Sequence, residues 1–220
     1  MQLTINPKSF FIFDLDDTLF REIDFLKSAY SNISSSLSKT LKLDLYELML
    51  SKFQNRENVF RWLIEQYQGI MPELTIEWLL KEYREHMPEI CLSEATAAFI
   101  KNLNSRHVPM GLITDGRGVT QRNKLKALGI TDYFEDIIIS EEFGSEKPDE
   151  RNYLYFQNKY VGMNFYFIGD NTSKDFIVPS KLGWTTICIK DTGHHIHQQC
   201  FNNQPVPDFI IGGFEEIEII

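Results

Sequence analysis

The hydrophobic positions of this chain follow patterns with different periods. Phe10-Phe11-Ile12-Phe13 is an unbroken apolar run that ends in Asp14-Leu15-Asp16-Asp17-Thr18. A short continuous apolar run bounded by polar turn residues predicts a strand buried on both faces. Over residues 21–88 the spacing becomes three and four. Ile23, Leu26, Tyr30, Ile33 and Leu37 form one series, and Leu45, Leu48, Met49 and Phe53 a second. Val59, Trp62, Leu63 and Tyr67 form a third, and Leu74, Trp78, Leu79 and Tyr83 a fourth. This predicts four helices packed on one another, punctuated by Pro72 and Pro88, with no strand among them.

From Ser93 onward, strand and helix patterns alternate. Ser93 is placed to cap a helix running to residue 105, with Ala95, Ala98, Phe99 and Leu103 inward. A buried strand over 108–113 ends in Thr114-Asp115-Gly116, and a helix over 119–128 is stopped by Gly129. A strand over 136–139 leads into a polar loop, 140–148, and a helix over 149–160. A strand over 164–168 ends in Gly169-Asp170-Asn171. Residues 173–182 are partly helical, bent or ended by Pro179 and closed by Gly183. Strands over 185–189 and, at an edge, 209–211 complete the pattern. Such alternation implies right-handed crossovers and a mostly parallel sheet, an α/β fold. Ligands bind beyond the carboxyl ends of the strands in these sheets. Asp14, Thr114-Asp115, Lys147 and Asp170 all fall there.

Composition narrows the reading. A chain of 220 residues suffices for one large domain, or one with a smaller insertion. It is 43% hydrophobic and 24% charged, an ordinary globular balance. A net charge of −9 argues against non-specific nucleic-acid or anionic-membrane partners. It does not argue against a small anionic substrate, because a local metal reverses the sign within a cleft. Cys91, Cys188 and Cys200 are widely spaced and odd in number, which suits free thiols in a reducing compartment. Residues 1–8 do not read as a signal peptide, and no apolar run approaches the roughly 18–20 residues that span a bilayer. The expectation is a cytoplasmic protein, monomeric or weakly dimeric.

Three carboxylates crowded at one strand end repel one another, and a divalent metal is the simplest remedy. In an extended segment Asp14 and Asp16 point to the same side. A plainer role is also open: an acidic loop in which Asp17 or Thr18 caps the next helix. With a phosphate monoester as test ligand, Asp14 is the candidate nucleophile, forming an acylphosphate. Asp16 is the candidate acid and base. Mg²⁺ would use Asp14 and Asp170 carboxylates and a backbone carbonyl of the 14–17 turn, with Asp175 orienting a metal-bound water. The metal set is thus Asp14, Asp16, Asp170 and Asp175. The Thr114 hydroxyl, the Asp115 and Gly116 amides and the Lys147 ammonium are the candidate phosphate-binding groups.

These residues together resemble the haloacid dehalogenase superfamily. Its pattern is Asp-x-Asp-x-Thr, a strand-end Thr or Ser, a Lys often followed by Pro, and Gly-Asp-x-x-x-x-Asp. Here these are Asp14-Leu15-Asp16-Asp17-Thr18, Thr114, Lys147-Pro148 and Gly169-Asp170 with Asp175. The resemblance implies a Rossmann-like three-layer core over 1–19 and 90–220. A helical cap of the C1 type would be inserted at 20–89. It further implies Mg²⁺, Asp14 as nucleophile, Asp16 as acid and base, Thr114 and Lys147 on phosphate, and Asp170 and Asp175 on the metal. Superfamily dehalogenases lack the second acid, so Asp16 favours monoester hydrolysis, of a sugar phosphate or nucleotide. Glu150 stands where many relatives have a second Pro, a departure of little expected effect. A phosphotransferase or mutase using the same aspartyl-phosphate is an alternative, and a non-catalytic phosphate-binding regulator a further one.

Substrate choice in this superfamily is attributed largely to the cap, and Arg21, Glu22, Asn55, Arg56, Asn58 and Arg61 are candidates to line it. His194, His195 and His197 lie in a polar stretch that reads as a solvated loop. The aromatic residues, 13% of the chain, mostly sit at core spacing and read as packing.

Overall fold

The structure, a computed structural model, describes residues 1–193, 195–202 and 205–220. Its centre is β2, Ser9–Phe13, buried at every position. Strand alternation sends Phe10 and Ile12 into the core on one face of the sheet and Phe11 and Phe13 into the core on the other. Phe11 stacks on Tyr166 with ring centroids 4.6 Å apart. β2 pairs in parallel with β3, Met110–Thr114, on one side and with β5, Asn164–Gly169, on the other. β4, Asp136–Ile139, extends the sheet beyond β3. β6, Thr185–Ile189, and β7, Phe209–Ile211, extend it beyond β5. The six-stranded order is β4-β3-β2-β5-β6-β7, parallel throughout. The order reverses direction around β2, so the crevice for a ligand lies at its carboxyl end. β1, Gln2–Leu3, pairs with β8, Glu218–Ile219, in a separate ribbon that the apolar pattern is too short to signal.

Helices cover both faces. α5, Glu94–Ser105, and α6, Gly118–Leu128, contribute Phe99, Ile100, Leu103 and Leu125 to one core. α8, Glu150–Lys159, and α9, Ile177–Lys181, contribute Tyr153, Phe156 and Val178 to the other. Ser93 caps α5 by accepting from the Thr96 N–H, and Asp149 caps α8 by accepting from the Arg151 N–H. Gly111 is where Phe156 meets β3: a Cβ there would stand 2.3 Å from the Phe156 ring.

The segment after β2 is helical, as its spacing predicts. α1, Glu22–Leu41, α2, Tyr46–Gln54, α3, Val59–Tyr67, and α4, Ile76–Glu85, surround a hydrophobic cluster of their own that includes Ile33, Leu37, Met49, Leu63 and Leu79. Hydrogen bonds tie its end to the sheet layer. The Thr120 hydroxyl donates to the Arg84 carbonyl, and the Asn123 amide to the carbonyls of Glu85 and His86.

Three expectations are corrected locally. Residues 140–148 are not all loop: α7, Ser140–Phe143, forms one turn before Gly144 adopts a left-handed backbone. Pro179 neither bends nor ends α9, because it stands in the first turn, where no N–H is missed. Asp175 precedes α9 instead of lying within a helix. Cys91, Cys188 and Cys200 are free thiols. Among the described residues no helix is long and apolar enough to cross a membrane.

Candidate active site

At the end of β2 the ladder runs one residue further, with the Asp14 N–H donating to the Ile168 carbonyl. The chain then turns sharply. Leu19 N–H donates to the Leu15 carbonyl at 3.0 Å, and Asp17 takes a left-handed backbone with φ 54°, a region that Asp tolerates better than most residues. The N-cap of the next helix is Arg21 and not Asp17 or Thr18, but Asp17 Oδ1 still accepts from the N–H of its first residue, Glu22, at 2.8 Å. Thr18 turns inward, donating to Asp14 Oδ2 at 3.1 Å and lying 3.5 Å from Asp170 Oδ1.

Lys147 is the positive charge at the centre. Its Nζ is 2.5 Å from Asp14 Oδ1 and 2.7 Å from Asp175 Oδ1, and all three side chains are buried. The loop carrying it is pinned to the end of β3, since Asp115 Oδ1 accepts from the Lys147 N–H at 2.9 Å. The other Asp115 oxygen pairs with Lys174 Nζ at 3.0 Å. Asp175 Oδ2 accepts from the N–H groups of Asp170, at 3.2 Å, and Asn171, at 2.9 Å, which fixes the loop after β5. Gly169 permits this, because a Cβ would stand 2.4 Å from Asp175 Oδ2.

Burial pushes the Asp14 carboxyl well above its ordinary range. Lys147 pulls it down, while the Asp175 and Asp170 carboxylates add to the rise. Asp170 is raised too, chiefly by burial. Burial would lower Lys147, but Asp14 and Asp175 outweigh it and hold the ammonium well above its usual range. Oxygens of Asp14, Asp170 and Asp175 come within 4.8 Å of one another. Asp170 Oδ2 is buried without an aligned hydrogen bond, whereas Asp175 Oδ1 is held by the Lys147 ammonium. One ammonium against three carboxylates leaves the cluster negative. An all-oxygen donor set with that excess charge fits a hard divalent cation such as Mg²⁺.

A cavity of about 100 Å³ opens on this cluster, lined by Asp14, Asp16, Thr114, Lys147 and Asp170, with Glu22 and Lys174 at its margin. The Asp16 carboxylate faces away from the cluster. Its Oδ1 pairs with Lys124 Nζ at 2.6 Å, and its Oδ2 accepts from Gln121 Nε2 at 2.9 Å. Gln121 Nε2 also donates to the Thr114 hydroxyl at 2.6 Å. Lys124 lies 4.4 Å from the Phe25 ring centre, so one buried ammonium touches both Asp16 and helix α1. Burial, then the charge of Asp16, raises Glu22 to about 7, with Lys124 opposing.

A family model for haloacid dehalogenase-like hydrolases matches residues 11–189. The chain belongs to that family. A glyceraldehyde 3-phosphate phosphatase of Methanocaldococcus jannaschii is 28% identical over 190 residues, covering 81% of this chain and 83% of its own. A protein of the same name from Methanopyrus kandleri is 26% identical over 223 residues, covering 91% of each chain. Among solved structures, the HAD-hydrolase YfnB of Bacillus subtilis, bound to magnesium, superposes with a TM-score of 0.64. It is 19% identical and covers 96% of this chain and 97% of that one. The haloacid dehalogenase-like motif residues named from sequence, Asp14, Asp16, Thr114, Lys147 and Asp170, all meet at the cavity, with Asp175 directly beneath.

Some of the predicted groups are oriented or engaged differently from the expectation. The extended alternation that aligns Asp14 with Asp16 stops at Phe13, and the turn sends the Asp16 carboxylate toward α6, outside the Asp14–Asp170–Asp175 cluster. The Gly116 N–H donates to Ser140 Oγ at 2.9 Å, so the amide expected to face phosphate is engaged. Of the candidate lining residues, Glu22 lines the cavity, whereas Arg21 lies beside Asp24. Asn55, Arg56, Asn58 and Arg61 are exposed and absent from the cavity wall. Asn58 caps α3, and Arg61 pairs with Glu65. Sequence reasoning missed Gln121 and Lys124. They lie at inward positions of the stripe that continues to Leu125 and Leu128, and a polar residue at such a position is the signal.

The His195 side chain is buried, with Nδ1 3.3 Å from Asp170 Oδ2, contrary to a solvated loop. Burial would lower its pKa, but the Asp170 and Asp17 carboxylates raise it. His197 is exposed at the cavity rim, and His194 lies outside the described residues.

Proposed function

We propose that the protein is a Mg²⁺-dependent phosphatase that hydrolyses a small phosphate monoester through an aspartyl-phosphate on Asp14. The observation that carries this reading is the convergence of Asp14, Thr114, Lys147 and Asp170 around one small cavity at the carboxyl edge of the sheet. Lys147 and Thr18 both bond the Asp14 carboxylate, which aims it and limits its motion. Lys147 offers positive charge, and Thr114 a hydroxyl, to the phosphoryl oxygens. Attack by Asp14 forms the acylphosphate as the alcohol departs. Asp16, released from Lys124 and Gln121 and carrying a proton taken from solvent, gives that proton to the alcohol; it then takes one from the water that cleaves the acylphosphate, freeing phosphate and the Asp14 carboxylate. Asp14, Asp170 and Asp175 would hold Mg²⁺, which would supply charge stabilisation to the transferring phosphoryl group.

The relatives support two sizes of substrate, since their names include glyceraldehyde 3-phosphate phosphatase and, in Escherichia coli, pyrimidine 5′-nucleotidase. The cavity of about 100 Å³ favours the shorter, being well below the roughly 300–1,000 Å³ of pockets for drug-sized ligands. The helices over 20–89 act as a cap, which Glu22 at the cavity and the bonds from α6 to the end of α4 support.

The test is hydrolysis of an aryl phosphate with and without Mg²⁺, by wild type and Asp14→Asn. A metal-dependent activity lost in the variant sustains the proposal, and full activity in the variant overturns it. Turnover of glyceraldehyde 3-phosphate against a nucleoside monophosphate then tests the size preference.

A further inference from the structure

We propose that Asp17, Asp170 and His195 form a second divalent-cation site that shares Asp170 with the oxygen cluster and takes a metal accepting imidazole nitrogen, such as Mn²⁺, Co²⁺ or Zn²⁺. Their ligand atoms lie within 4.8 Å of one another. Asp17 is 4% exposed, and the side chains of His195 and Asp170 are 7% and 5% exposed.

Two orphaned atoms point to the ligand. His195 Nδ1 and Asp170 Oδ2 are both buried and face each other at 3.3 Å as an ion pair, and neither has an aligned hydrogen bond. They stand close without the alignment of an N–H···O bond. Leaving two buried polar atoms without an aligned hydrogen bond is costly, and native proteins rarely do so without a reason. A shared metal supplies one. At metal–ligand lengths of about 2.0–2.2 Å, two ligands at roughly 90–110° stand about 2.8–3.6 Å apart, and the observed separation falls in that interval.

The backbone places these groups without help from a metal. The Ile196 N–H donates to Asp17 Oδ2 at 2.9 Å, and the His195 N–H to Asp191 Oδ1 at 3.0 Å. Gln199 Nε2 donates to the carbonyls of Asp170, at 2.8 Å, and Ile189, at 2.7 Å. The segment after β6 is therefore tied to the site on both sides of His195. Asp17 accepts one N–H on each oxygen, which leaves further lone pairs for a cation. Asp170 presents different oxygens to different neighbours. Oδ1 is near Thr18, which bonds Asp14, while Oδ2 faces His195, the disposition of a carboxylate that bridges two positions. A cavity of about 410 Å³, lined in part by Asp17, Thr18 and His195, gives an ion and its waters a way in. The nitrogen donor separates this site from its neighbour: imidazole suits first-row transition metals and Zn²⁺, whereas all-oxygen sites suit Mg²⁺. The proposal concerns binding and not turnover, and it rests on the proposed function only in that the oxygen cluster must also hold a cation.

The experiment is equilibrium dialysis of the full chain, freed of metal by chelation, against Co²⁺, with pulsed EPR of the Mn²⁺-loaded protein to detect directly coordinated ¹⁴N. The wild type should bind two equivalents and show nitrogen coupling. His195→Ala should bind one equivalent and lose the coupling, while His107→Ala, remote from the site, keeps both. One equivalent in the wild type overturns the proposal even if nitrogen coupling is present, for His195 would then complete the first site. Two equivalents or persistent coupling in His195→Ala also overturn it. Should that variant not fold, wild-type stoichiometry and coupling decide alone.

Discussion

The helices α1–α4 and the parallel sheet each enclose a hydrophobic core, but the sheet's carboxyl edge buries charge and the helical block does not. Among the described residues the buried polar side chain of the block is Ser34, which donates to Asp44 and accepts from the Leu45 N–H. The sheet edge buries Asp14, Asp17, Lys124, Lys147, Asp170 and Asp175. Removing charge from water costs several kcal/mol per ion, and such groups persist only where partners and hydrogen bonds offset that cost. The block is built for shape. The edge maintains a charged constellation against its own solvation, which is how a chemical site differs from a scaffold.

The sharpest break in that contrast is Asp14→Asn, which keeps the shape and removes the proposed nucleophile. Phosphatase turnover should fall at least about 10³-fold, measured as kcat/KM. Next is Lys147→Met, which leaves Asp14 and Asp175 buried without their counter-charge. Denaturant unfolding should show a loss of about 3–5 kcal/mol. In the block, loss of the exposed Arg61–Glu65 pair by Arg61→Ala should leave the unfolding midpoint unchanged. An unchanged Lys147→Met midpoint would erase the distinction. Leu63→Ala, at 0% exposure in the helical core, should cost about 2–5 kcal/mol by the cavity it leaves. Its chemical-step rate, read below the unfolding transition, should remain near wild type, because Leu63 does not line the cavity.

The smallest expected effect concerns Glu22, the one charged residue that the block lends to the cavity. Its folded pKa of about 7 stands above the ordinary 4.5. Between those values the folded state binds more protons than the unfolded one, so stability is greatest below about pH 4.5 and falls as pH rises toward 7. Glu22→Gln should flatten that slope, by roughly 1–3 kcal/mol across the window. Unfolding titrations at pH 4.5 and 7.5 measure it, and an unaltered slope would assign the dependence to another group.

Legibility from sequence followed the range of the interactions concerned. The apolar run 10–13, the helical periodicity of 21–88 and the cap at Ser93 are local, and they appear where the pattern places them. The motif carboxylates were legible because each follows a strand end, and a parallel sheet brings strand ends together. The orientation of Asp16 was not, because the turn after Phe13 and the buried ends of Gln121 and Lys124 set it. Nor was His195, 25 positions beyond Asp170: a polar loop without periodicity gives no hint of what its backbone will bond.

Local sequence thus determined the strands, the helices, the caps and which carboxylates reach the edge, since these depend on alternation, propensity and side-chain chemistry within a few residues. Tertiary structure alone decided the partners of those carboxylates. Lys147 lies between Asp14 and Asp175, Lys124 lies between Asp16 and Phe25, and His195 lies against Asp170. The physical reason is that the stability of a buried charge depends on groups a few ångströms away in space, and the chain brings those groups from positions far apart.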